Sequence, residues 1–182
     1  MNGRAPLPDL ADLVEPRPGQ VDVNEWADAC GRRHVLVLAG LRPYPFTEFS
    51  ARRRKTGQPY AEWQEATRTA LKAALRRSGT APYPRTAVLG LAMAFGARRD
   101  VMPGQRRATA VGSFDLRNLE KALEDVAKGV LWHDDKQVRY SGPGSARDSE
   151  ADWFALHVWD GDVGWRSEWA GISVPEVEVV NE

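Results

Sequence analysis

The chain has a single cysteine, Cys30, so an internal disulfide is excluded and a reducing compartment is the expectation. Its three histidines, His34, His133 and His157, lack the close spacing of a metal cluster. No apolar run approaches the roughly 18 residues that a membrane helix needs. The opening stretch MNGRAPLPDLADLVEP has no basic segment followed by an apolar one, as a secretory signal would. Together these absences predict a cytoplasmic protein. Net charge is missing as well, since 25 Lys and Arg balance 25 Asp and Glu. What the chain does have is an ordinary globular mixture, 42% apolar and 27% charged over 182 residues, enough for one domain with modest appendages.

The balanced charge is unevenly spread. Residues 1–41 hold 4 basic against 6 acidic side chains, residues 42–107 hold 14 against 4, and residues 108–182 hold 7 against 15. A basic middle flanked by acidic ends suits internal pairing. It also suits a surface that holds polyanion beside acids that hold a cation.

Residues 1–33, with Pro6, Pro8, Pro16 and Pro18, read as an extension with a short helix over 23–29. HVLVLAGL, residues 34–41, is apolar on both faces and predicts a buried strand. A polar loop over 42–59 carries Arg52, Arg53, Arg54 and Lys55 and ends at Gly57 and Pro59. A helix is predicted over 61–77, with Trp63, Ala66, Ala70, Leu71, Ala74 and Leu75 on its buried side. In the strand predicted over 86–97, Leu89, Leu91, Met93 and Phe95 alternate with the small residues Gly90, Ala92, Ala94 and Gly96. A second helix runs from Asp115 or Leu116 to Lys128, followed by strands at 137–140 and 153–160 joined by a flexible SGPGSARDSEAD. The order predicts an α/β protein of mixed α+β type, a small mixed sheet with helices packed on it. The boundaries are an extension over 1–33, a domain over 34–160 and a tail over 161–182.

The second helix carries the chemistry. Leu116, Leu119, Leu123 and Val126 make its core stripe, and Asp115, Asn118, Lys121, Ala122 and Asp125 fall on the neighbouring side. Asp134 and Asp135 follow on a turn. Carboxylates from a helix start and a following turn can converge on a hard divalent cation such as Mg2+. Such a cation activates water and neutralises phosphate oxygens, while a neighbouring lysine stabilises developing charge. Chance surface acids give the same composition, and then the charge asymmetry serves only to bind a partner.

The run Asp115-Leu116-Arg117-Asn118-Leu119-Glu120-Lys121-Ala122, then Glu124-Asp125, Gly129-Val130, Trp132 and Asp134-Asp135-Lys136-Gln137-Val138, resembles the signature of the RusA family of Holliday-junction resolvases. That pattern reads D-x-D-N-L-x-K-A, then D-A-L, N-G, an aromatic residue and D-D-x-Q-[IV]. A looser likeness extends back to His34 through the basic loop, Gly57-x-Pro59-Tyr60 and Trp63. The resemblance implies a homodimeric, Mg2+-dependent endodeoxyribonuclease that binds and cuts branched DNA such as four-way junctions. It implies that Asp115 and Asp135 are metal ligands, that Lys121 is the catalytic lysine and that Asn118 orients the site. It places DNA contact on Arg52, Arg53, Arg54 and Lys55. The family's second motif aspartate is Arg117 here, and Asp134, Asp125 or Glu48 could supply the missing carboxylate. The alternative is a RusA-like protein that binds branched DNA without cutting it.

Overall fold

The computed structural model describes residues 15–44, 54–98, 116–142 and 144–161, with the backbone alone at 54–59, 98, 147 and 148. Within these residues six strands form one mixed sheet. They are β1 (Val21–Ala27), β2 (Arg33–Ala39), β3 (Leu89–Arg98), β4 (Val138–Ser141), β5 (Ser145–Ser149) and β6 (Trp153–Asp160). Two helices, α1 (Arg54–Ser78) and α2 (Leu116–Ala127), accompany it, making an α+β fold. The sheet order is β1-β2-β6-β3-β4, with antiparallel pairing from β1 to β3. β4 and β5 both run parallel to β3 and share its remaining flank, β4 against Leu89–Leu91 and β5 against Ala94–Arg98. Because β3 and β4 are parallel, α2 is the crossover between them, and both strands begin at the same end of the sheet.

The alternation in β3 is realised as its side chains demand. Leu89, Leu91, Met93 and Phe95 enter the main core with Leu71, Ala74 and Leu75 of α1 and Leu119, Leu123 and Val126 of α2. Ala92 and Ala94 join a second cluster with Leu36, Trp153, Ala155 and Trp159. Gly90 pairs with Trp159 and Gly96 with Trp153, and a Cβ at either glycine would overlap the facing indole. Glycine there is what lets two tryptophans lie flat on the neighbouring strand.

Trp26, His34, His157 and Trp159 form a continuous stack, with ring centroids 5.2–5.5 Å apart. His34 Nδ1 lies 3.0 Å from His157 Nε2, and His34 Nε2 lies 3.4 Å from Asp28 Oδ2. The carboxylate favours the proton on His34 Nε2, which leaves Nδ1 to accept from His157. Burial, reinforced by His34, pushes the His157 pKa down to about 3. Burial alone would raise Asp28, but hydrogen bonds from Arg32, the Cys30 N–H and His34 hold it down at about 2.

An unfolded imidazole takes up a proton near pH 6.5, so between there and about pH 3 the unfolded chain binds more protons than the fold does. Acidification through that window is expected to lower stability by on the order of 1 kcal/mol per pH unit. Urea melts at pH 7.5, 6 and 5 measure it, and a flat profile would contradict the burial of His157.

Four local expectations change. Residues 23–29, read as a short helix, lie largely in β1, because Val21 and Val23 alternate with polar residues and the backbone pairs with β2. α1 begins at Arg54 rather than after Pro59, since a proline in the second turn removes only one intrahelical bond. On its inner side Thr67, 2% exposed, takes the place expected for Ala66, which is exposed. Part of the segment read as a flexible connection is β5, fastened by backbone pairing to β3.

Candidate active site

α2 is amphipathic enough to bury Leu119, Ala122, Leu123, Val126 and Ala127. Ala122 thus belongs to the core rather than to the polar stripe expected for it. The other side presents Asn118, Lys121, Glu124 and Asp125, with Lys128 just beyond the helix. Lys121 Nζ bonds Asp125 Oδ1 at 2.9 Å, one turn further along. That bond, outweighing partial burial, raises the Lys121 pKa, and Asp125, Asp135 and Glu124 add their field. The ammonium therefore stays charged at neutral pH and is suited to stabilise negative charge rather than to act as a base. Glu124 is half-buried; burial raises its pKa, Lys121 lowers it, and the charges of Glu120, Asp135 and Asp125 raise it further. Glu120 in turn reaches Gly144, between β4 and β5, and its carboxylate occupies the place a side chain would take there.

Gly129, at φ +77°, reverses the chain after α2 and Trp132 anchors it, 1% exposed. Asp134 then caps a single 3-10 turn, Asp135–Gln137, its Oδ1 accepting from the Lys136 N–H at 2.9 Å. Gln137 is buried and makes four hydrogen bonds. Its Oε1 accepts from the N–H groups of His133 (2.8 Å) and Asp134 (3.1 Å), and its Nε2 donates to the carbonyls of Pro84 (2.8 Å) and Ala87 (3.3 Å). So fixed, the turn presents Asp135 to α2, where Oδ2 accepts from Lys128 Nζ at 2.8 Å.

α1 is tied to the same face. Arg68 Nη2 donates to the Asp125 carbonyl at 2.7 Å. Tyr60 is buried beside it, and burial together with the Asp125 charge raises its phenol to about 12. Tyr60 packs with Trp63 and Tyr44, and Trp63 Nε1 donates to the Arg42 carbonyl at 2.8 Å. The start of α1, with Arg54 and Lys55 in its first turn, is therefore held within two helical turns of a residue that senses Asp125.

Of the expected site residues, Lys121 and Asp135 share one electrostatic neighbourhood and Asn118 lies on the same helix. Asp134 instead spends its carboxylate on the cap. Arg117 is exposed on α2. Asp115, Glu48, Arg52 and Arg53 lie outside the described residues, as do the side chains of Arg54 and Lys55. Sequence reasoning missed Glu124 and Lys128, whose roles come from the turn that brings Asp135 back. It also missed Gln137 as the fastening of that turn, although a buried amide in D-D-x-Q is a signal. Among the described residues no three His, Cys, Asp or Glu side chains stand close enough to hold a metal ion. Carboxylate oxygens of the kind Asp135 carries are the donors a hard cation takes.

A family model described as endodeoxyribonuclease RusA matches residues 43–142. The chain belongs to the RusA family. The matched stretch contains α1, β3, α2, the Asp135 turn and β4, which are the elements that build this site. No curated protein sequence matches the chain. RusA proteins are endodeoxyribonucleases that act on Holliday junctions. Among the described residues no helix is long and apolar enough to cross a membrane.

Proposed function

We propose that this RusA-family chain is a Mg2+-dependent, structure-selective endonuclease that nicks four-way junctions and related branched DNA, working as a pair of copies in recombination, repair or phage DNA processing. The observation that carries this reading is the turn that aims Asp135 at the Lys121 face of α2. Asp135, with Asp115 as the other ligand that the resemblance implies, would hold the cation. When bound, Mg2+ supplies an activated water and neutralises charge on the scissile phosphate. Lys121, kept protonated by Asp125, faces the same phosphate as a fixed positive charge. Asn118 orients these groups from the preceding turn, and Arg52, Arg53, Arg54 and Lys55 hold the DNA backbone without reading sequence.

Arg117, where the motif has an aspartate, favours a second reading in which the chain binds junctions and does not cut them. A labelled four-way junction incubated with the protein separates the two. Nicking that needs Mg2+ and spares linear duplex is the expected result. Junction binding without nicking under any divalent ion makes the second reading the correct one.

A further inference from the structure

The Asp135 turn has another side. Behind it lies a cavity of about 520 Å³, lined by Arg85, Thr86, His133, Asp134, Lys136 and Arg139 among others, but not by Asp135. Among the described residues, Arg85, Lys136 and Arg139 form no salt bridge, whereas Arg32, Arg33, Lys121 and Lys128 are all paired with carboxylates. All three unpaired cations are exposed. Asp134 is the acidic residue in the lining, and its Oδ1 already accepts from the Lys136 N–H at 2.9 Å. The groove keeps a surplus of about two positive charges.

It is also a built groove. One wall is the segment leading into β3, the other is the turn and the start of β4, and buried Gln137 fastens the two together. The parallel pairing of Leu89 with Val138 sets both walls at one end of the sheet. Arg85 and Arg139 thus come from segments more than fifty residues apart yet open on a common space. Arginine forks held on a fixed frame suit an anion with several acceptor oxygens.

We infer that this groove binds a phosphodiester of the DNA strand beyond the cleavage position, so that the turn separates the scissile phosphate, on the Asp135 side, from an anchored neighbour on the Arg85–Arg139 side. The inference rests on the reading of the chain as a branched-DNA nuclease. The groove contributes affinity and direction, fixing which way the strand leaves the site, without selecting bases.

Fluorescence anisotropy with a labelled four-way junction in EDTA, over a series of salt concentrations, tests it. The Arg85→Ala/Arg139→Ala variant is expected to bind at least tenfold more weakly, and its slope of log K against log salt is expected to fall by nearly two. Lys136→Gln, an exposed single change, is expected to reduce the slope by nearly one. Arg85→Lys/Arg139→Lys restores most of the slope, and thermal melts identify any variant that fails to fold. If the wild-type protein binds no junction, the nuclease reading falls and the groove falls with it. If the wild type binds and the alanine variant keeps its affinity or its slope, the groove assignment is overturned and the nuclease reading stands.

Discussion

Asp135→Asn is expected to reduce junction nicking by about 100-fold or more while leaving junction binding as tight as before or tighter. The substitution keeps shape and hydrogen-bonding reach but removes the charge that would grip a divalent cation. Its structural effect is confined to the contact with Lys128, and both side chains are largely exposed, at 54% and 42%. Exposed, solvent-screened pairs of this kind add little to stability, so the fold survives. Loss of a negative charge beside DNA favours binding, which is why the two measurements should part. Gel assays for nicking and anisotropy for binding read them separately. Wild-type nicking by the variant would remove Asp135 from the reaction.

Lys121→Met should lower the nicking rate by about 100-fold, with Lys121→Arg falling between it and the wild type. Methionine keeps the unbranched stem and discards the ammonium, so any packing contribution is retained. A second readout follows from Glu124. Lys121 is the group that restrains the raised pKa of Glu124, and without it the carboxylate takes up its proton at still higher pH. Gel assays measure the loss of rate and an NMR titration of the Glu124 carboxyl measures the shift; a normal rate with an unmoved Glu124 would place Lys121 outside the site.

Much of this was legible in the residues themselves. Large and small side chains alternating in β3 identified its two faces, and the leucine spacing in α2 separated its core stripe from the face bearing Lys121. Ala122 was misplaced because a methyl group is light enough to sit at the margin of either stripe. β1 escaped notice because VDVNEWA has too few apolar residues to separate a two-residue period from a helical one, and β2 decides the matter. β5 has no apolar pattern at all; its conformation follows from the unpaired flank of β3 beyond β4. The site divides in the same way. The motif named Asp135, Lys121 and Asn118 and left Asp134 open as a substitute carboxylate; that Asp134 caps the turn depends on backbone geometry the motif does not carry. Nor could it bring Arg85 to Arg139, which only the parallel pairing of two strands accomplishes.

The missing side chain at position 144 ties the rim of the sheet to the acidic face of α2. Any larger residue there would displace the Glu120 carboxylate, a flexible tip that can swing aside at little expense to the fold. Moving it away would ease the crowding around Glu124 and lower that group's hold on its proton. The charge balance on this face of α2 can thus be shifted from a junction between two strands of the sheet.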